Sequence, residues 1–171
     1  MDFQTLAAQR YSLRKFSDRP VEEEKLTAIL EAGRVGPTAH NLQPQRIFVM
    51  RSAEAQAKTD ACMGFHFHAP LLLVVAYDPE AAWKREIDGK NHGEIDAAIA
   101  VSQMMLQAAD LGLGTTFVGV FDPEKLVAAF PEELGALRPI AVLPLGYPAE
   151  GAHPARLHGE RKPLEELVKV L

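Results

Sequence analysis

The chain has 171 residues, 47% of them hydrophobic and 24% charged, which is the size and balance of one globular domain and excludes disordered and fibrous chains. Its 18 Lys and Arg against 23 Asp and Glu leave a net charge of -5, so no surplus positive potential is available to hold a nucleic acid. A lone cysteine excludes an internal disulfide.

One domain covering residues 1–171 is therefore expected, and no repeat or low-complexity segment divides it. The opening Met1-Asp2-Phe3-Gln4 lacks the basic then apolar pattern of a secretion signal, so a cytoplasmic location is the expectation. The most apolar stretch, residues 94–111, is interrupted by Asp96, Gln103, Gln107 and Asp110, which argues against a membrane span.

In chain order, Asp2 caps a short helix that carries Phe3, Leu6 and Ala7 on one face and ends near Arg10. Residues 10–16 then alternate, so that an extended chain places Arg10, Ser12 and Arg14 on one side. Pro20 and the acidic run Glu22 to Glu24 open an amphipathic helix with Leu26, Ile29, Leu30 and Gly33 in one stripe and Gly36 as its stop. Residues 37–44, with two prolines and several amide or hydroxyl side chains, read as an ordered loop. A strand over 47–50, a weaker helix over 52–62 and a strand over 71–77 buried on both faces follow.

Asp78-Pro79 closes that strand, and residues 80–93 read as a mobile loop, a short helix or a lid carrying Trp83. Over 94–111, Asp96, Gln103, Gln107 and Asp110 share one narrow side of a helix otherwise surrounded by protein, as in a core or a dimer surface. Gly112 and Gly114 end it, residues 115–120 read as a strand, and Asp122-Pro123 starts a helix that stops at Phe130-Pro131. A strand over 139–145 and a last helix opened by Pro163 complete a layered α+β fold.

The chemistry-bearing residues divide unevenly. Arg10, Ser12 and Arg14 suit a phosphate, because guanidinium forks and a hydroxyl match its oxygens. Spacing alone favours a solvated basic turn. His66 and His68 lie two apart without a third ligand at a recognisable spacing, so no metal is expected. Cys62 lacks a nucleophile signature and reads as structural, and Met104 and Met105 read as core or interface filling.

Six segments taken together carry more. Arg-Tyr-Ser-Leu-Arg-Lys-Phe at 10–16, Pro-Thr-Ala-His-Asn-Leu-Gln-Pro at 37–44, Glu-Ile-Asp-Ala-Ala at 94–98 running on to Leu-Gly-Leu-Gly-Thr at 111–115, Gly-Val-Phe-Asp-Pro at 119–123, Leu-Pro-Leu-Gly-Tyr-Pro at 143–148 and Arg-Lys-Pro-Leu-Glu at 161–165 stand in order. This series resembles the FMN-dependent nitroreductase family over nearly the whole chain. The resemblance implies a mixed β-sheet flanked by helices and a homodimer with an FMN in each of two interface sites. By position, Arg10 and Ser12 resemble phosphate ligands, Arg14 the residue beside the flavin N1 and O2 edge, and Arg161 and Lys162 a C-terminal phosphate grip. Pro37, Thr38, Ala39 and Asn41 resemble the loop lent by the other subunit, Gln43 belongs to the family's Gln-Pro turn, and Gly119 and Val120 sit where backbone amides meet N5.

The family's hydride chemistry belongs to the flavin, so no catalytic side chain is named. The resemblance implies an oxidoreductase that takes electrons from NAD(P)H and reduces nitroaromatics, quinones or similar flat acceptors. The alternative is an FMN-binding redox sensor or electron relay with little NAD(P)H turnover. Two departures stand out: Gln45 where relatives commonly carry an aromatic residue, and histidines in Gly64-Phe-His-Phe-His68 where larger relatives present an amide.

Overall fold

The computed structural model describes residues 2–171. Three of its helices begin at side-chain caps. Asp2 accepts from Thr5 N at 3.0 Å to open α1 (Phe3–Gln9), Ser52 accepts from Ala55 N at 3.1 Å to open α3 (Ala53–Asp60), and Asp122 accepts from Lys125 N at 2.9 Å to open α5 (Pro123–Ala129). Each bond satisfies an amide that the first helical turn leaves free. Between them run α2 (Glu23–Arg34) and the long α4 (Gly93–Asp110), and a single turn, α6 (Leu164–Leu167), lies near the end of the chain.

Four strands, β1 (Gln45–Met50), β2 (Leu71–Tyr77), β3 (Gly114–Thr115) and β4 (Arg138–Gly146), form one sheet in the order β1-β2-β4-β3. All three named pairings are antiparallel, and the parallel component is the single bridge from Ser12 to Thr115. The expected α+β fold with helices flanking a sheet is present.

β2 is the middle of the core, and its continuous apolar run is explained by burial on both sides. Leu71, Leu73 and Val75 pack with Ile29 of α2 and Val101 and Met104 of α4, whereas Leu72, Val74 and Ala76 pack with Val118, Leu126 and Leu134. α2 and α4 approach closely at Gly33, where a Cβ would stand 2.9 Å from Met104 Cγ. Gly36 does not stop α2 through a special backbone angle. Val35 caps the helix, and a Cβ on Gly36 would touch the α4 backbone at Ala100 Cα, 3.5 Å away.

Three expectations are corrected. The strand expected over 115–120 pairs only at Gly114 and Thr115, with a separate bridge from Val118 to Val142; β-branched composition favours a strand, but the ladder needs a partner at every position. Residues 84–91 form no short helix but a turn closed by a bridge: Lys84 bridges Asn91, Arg85 N donates to Lys90 O at 2.9 Å, and Gly89 takes a φ of 70° at the turn. Asp96 does not lie on an outer polar side of α4 but is 3% exposed. No helix of the described residues is long and apolar enough to cross a membrane.

Candidate functional site

The strip after α1 is held beside β3. Leu13 N donates to Thr115 O at 2.9 Å, Thr116 Oγ1 donates to Leu13 O, and Leu13 itself is fully buried. Anchoring the middle of the strip turns its alternate residues outward, as the sequence pattern requires. Arg10 lines a cavity of about 220 Å³ together with Tyr11, Met105, Ala109, Gly114 and Thr115. Two polar atoms of its lining are buried without a hydrogen-bond partner, Arg10 Nη1 and Thr115 Oγ1.

Buried polar groups are almost always paired, and these are two of five buried side-chain atoms left without a partner among the described residues; a cationic donor and a hydroxyl on residues of one cavity's lining suit an anion. Thr115 was not among the residues singled out from sequence. Its place directly after the helix-ending glycines was readable in sequence, whereas its bridge to Ser12 is not. The single-sided strip is only half realised: Ser12 and Arg14 line a second hollow, of about 290 Å³, with Gly151, Ala152 and His153. Arg14 Nη1 donates to Ser12 O at 3.2 Å.

The loop of residues 37–44 sits at the opposite end of α4. His40, Asn41 and Gln43 have φ of 52°, 55° and 50°, a left-handed conformation that costs an L-residue about 1–2 kcal/mol. The loop persists because it is tied at several points. Ala39 N donates to Asp96 Oδ1 at 2.9 Å, Gln43 N to Thr38 Oγ1 at 3.1 Å, and Gln43 Nε2 to Asn41 O at 3.0 Å. His40 stacks on Trp83 with ring centroids 5.2 Å apart, and Trp83 meets His92 edge-on at 4.7 Å. His40, Asn41 and Leu42 nonetheless face outward.

Gly119 and Val120 are exposed, Val120 at 63%. Val120 O accepts from Gly64 N at 3.2 Å, which sets the Gly64–His68 segment beside them. Phe65 and Phe117 are exposed as well. Arg161 and Lys162 lie on an exposed segment following the 3-10 turn Arg156–Gly159. Arg161 Nη1 donates to His158 O and, at 2.8 Å, to Glu160 O, and Lys162 pairs with Glu166 at 3.6 Å. Tyr11 meets His158 edge-on at 6.1 Å, which brings that turn, but not the two cations themselves, to the strip.

Other reactive groups are quiet. Burial pushes the Cys62 thiol above its ordinary pKa and its Sγ donates to Lys58 O, so it is a poor nucleophile. The described residues contain no group of three or more His, Cys, Asp or Glu able to hold a metal.

A cavity lined by Arg10 and Thr115 beside an Arg-x-Ser-x-Arg strip, on an antiparallel sheet backed by a long apolar helix, defines a recognisable class of α+β protein. The model of the nitroreductase family matches residues 7–63 and 52–147, and the chain belongs to that family. An NADH dehydrogenase of Thermus thermophilus is 32% identical over 98% of this chain and 95% of its own length. Among solved structures, a nitroreductase family protein of Clostridium difficile superposes with a TM-score of 0.89 at 38% identity, covering 99% of this chain and 98% of the other. A Desulfovibrio desulfuricans structure solved in complex with FMN gives 0.82 at 28% identity, covering 96% and 94%.

Proposed function

We propose that this chain is an NAD(P)H-dependent oxidoreductase that holds FMN in two sites shared between the subunits of a homodimer, and that it reduces nitroaromatics, quinones or similar flat acceptors. The observation that carries the reading is the pair of unpartnered buried atoms, Arg10 Nη1 and Thr115 Oγ1, in one cavity of a family member. The Thermus relative's name supports the electron donor, and the FMN complex of the Desulfovibrio protein supports the cofactor.

The geometry of α4 supports a shared site. Asp96, which holds the Ala39 loop, and Ala109, which lines the Arg10 cavity, are thirteen residues apart on one helix, about 20 Å along its axis. Within one chain the loop and the strip therefore stand far from each other. Between them α4 presents an outer face of Ile95, Ile99, Ser102 and Leu106 that is exposed or half-buried. Packing this face against its copy about a twofold axis near Ser102 runs the two helices antiparallel. Each loop then comes to the other subunit's strip. Leu164, Leu167 and Val168 are also exposed and offer further apolar surface for the same partner.

Bound FMN supplies the two-electron chemistry between nicotinamide and acceptor. The residues of the chain hold and tune it. Arg10 and Thr115 would hold the phosphate from their cavity and Ser12 from the second hollow, and Arg161 and Lys162, which in the single chain bond to His158 O, Glu160 O and Glu166, would join them on exchanging those partners for it. Arg14 would stand toward the ring edge where negative charge gathers on reduction and would favour that charge. The backbone amides of Gly119 and Val120 would meet N5, and Pro37, Thr38, Ala39, Asn41 and Gln43 of the other subunit would border the ring. Exposed Phe117 and Phe65 give a flat acceptor an apolar surface.

The test is spectroscopic. The purified protein, reconstituted with FMN, is mixed anaerobically with NADH or NADPH, and a quinone or nitroarene is then added. Bleaching followed by return of the colour is the expected result. Failure to take up FMN overturns the cofactor assignment. Reduction by dithionite but by neither nicotinamide within minutes leaves the electron-relay alternative in its place.

A further inference from the structure

We propose that Asp96 is a positioning residue for the flavin ring bound by the neighbouring subunit, acting through the Thr38–Gln43 loop of its own chain. The inference rests on the shared-site reading above.

Asp96 is 3% exposed, yet its Oδ1 accepts one hydrogen bond, from Ala39 N at 2.9 Å, and its Oδ2 is buried with no partner. A carboxylate in that state is a poor stabiliser, since it has lost its hydration and regained a single bond. What the carboxylate does provide is a fixed acceptor for the amide immediately before the left-handed pair His40 and Asn41.

The other ties of the loop are internal or lateral. Asn41 N donates to Thr38 O at 3.0 Å, Gln43 N to Thr38 Oγ1 at 3.1 Å, and His40 leans on Trp83. The His40–Trp83 stack continues to His92 at the start of α4, and Gly36 packs against Ala100. The bond to Asp96 is the hydrogen bond that ties the loop's backbone to α4. The outward side of the loop, His40, Asn41 and Leu42, is exposed in the single chain, and the antiparallel pairing of α4 turns it toward the other subunit's Arg10 strip. Asp96 thus acts on a ring that it does not touch, and on the neighbour's ring rather than that of its own chain.

Subunit mixing reads this out. The Asp96→Ala homodimer is expected to bind FMN about tenfold or more weakly and to turn over more slowly, because small misplacements of groups bordering a reacting ring are costly. Asp96→Asn, which keeps an acceptor oxygen for Ala39 N, is expected to restore most of the loss and guards against a misfolded alanine variant. Heterodimers of Asp96→Ala with Arg10→Ala chains contain one site with both groups intact and are expected to recover about half of the wild-type activity. A defect confined to the stability of the mutated chain would not be rescued in this way.

Wild-type affinity and turnover in Asp96→Ala overturn the proposal. So does absence of recovery in this mixture when the parallel mixture of Asn41→Ala with Arg10→Ala does recover. If neither mixture recovers, the shared-site reading fails and takes the proposal with it.

Discussion

Tyr147, just past β4, donates its hydroxyl proton to Glu22 Oε2 across 2.7 Å. Lys25 Nζ donates to the same hydroxyl at 2.8 Å and to Leu111 O at 2.8 Å, and Arg19 lies 3.9 Å above the ring. This group joins the start of α2, the end of α4 and the end of β4 beside the Arg10 cavity. Chiefly through the Tyr147 bond, then a backbone bond and Arg19, the Glu22 carboxyl is lowered to about 2.

A carboxyl lowered on folding adds stability above its unfolded value, near 4.5, and loses it as the pH falls toward 2. Tyr147→Phe keeps the ring and removes the donor. The variant is expected to be less stable than the wild type at pH 6, with the difference shrinking steadily between pH 4.5 and pH 2. Denaturant unfolding across that range checks it, and a difference independent of pH would show that the bond does not set the Glu22 titration.

Gly114 permits the strip to lie against β3. A Cβ there would stand 2.4 Å from Leu13 Cδ2 and 2.7 Å from Leu13 Cβ, and Leu13 is fully buried, with no open space for retreat. Gly114→Ala is expected to cost about 1–3 kcal/mol of stability through overpacking and to weaken FMN binding by displacing Arg10. Thermal unfolding and flavin titration on the same variant test the pair of effects. A stable variant with unchanged affinity would mean that the strip tolerates the shift.

Arg10→Ala is expected to weaken FMN binding by about 1.5–3 kcal/mol, roughly ten- to a hundredfold, through loss of a charge-assisted bond. Thr115→Val removes the hydroxyl while keeping the shape of the side chain, and its effect should be smaller. Fluorescence titration ranks the two. Equal, wild-type affinities would place the phosphate outside this cavity.

What the sequence shows and what it hides follow the range of the interactions. β2, α2 and the Asp122 cap are legible because periodicity and capping are local, written within a few residues of where they act. The strip was singled out by the alternation of Arg10, Ser12 and Arg14 and by the family resemblance, but its division between two hollows depends on how Leu13 meets Thr115, more than a hundred residues away. Asp96 is the plainest case. Counted around a helix it falls with Gln103, Gln107 and Asp110, yet it is buried because the loop at Ala39, 57 residues earlier, folds onto it. The extent of β3 was overestimated for the same reason, since propensity at 115–120 says nothing about where β4 stops offering partners.

Asn41→Ala and Arg10→Ala chains, each impaired as homodimers, are expected to recover about a quarter of the wild-type activity when mixed in equal amounts and reassociated, because about half of the dimers are then heterodimers and one of the two sites in each holds an intact strip and an intact loop. The 20 Å or so between these groups along α4 within one chain is the physical basis. Recovery is measured as flavin bound and turnover per dimer. A mixture no better than the average of its parents would put both groups in the same chain's site.

The last prediction concerns the order of events. If Arg10 and Thr115 hold the phosphate end of FMN, with the ring near the exposed Val120 and Phe117, nicotinamide and acceptor would use one face of it in turn. Steady-state rates with both substrates varied are then expected to give parallel double-reciprocal lines, the sign of a substituted-enzyme cycle. Arg14 is exposed and bonds only weakly within its own strip, to Ser12 O at 3.2 Å, so its removal should leave the fold unharmed. Its charge favours the electron-rich state of the ring, and Arg14→Ala is therefore expected to slow reduction by the nicotinamide by about tenfold or more while flavin retention falls less. Stopped-flow reduction set beside flavin titration separates the two effects. Intersecting lines would require both substrates to be bound together, and an Arg14→Ala variant that loses flavin but reduces at the normal rate would move Arg14 from the ring edge to the phosphate.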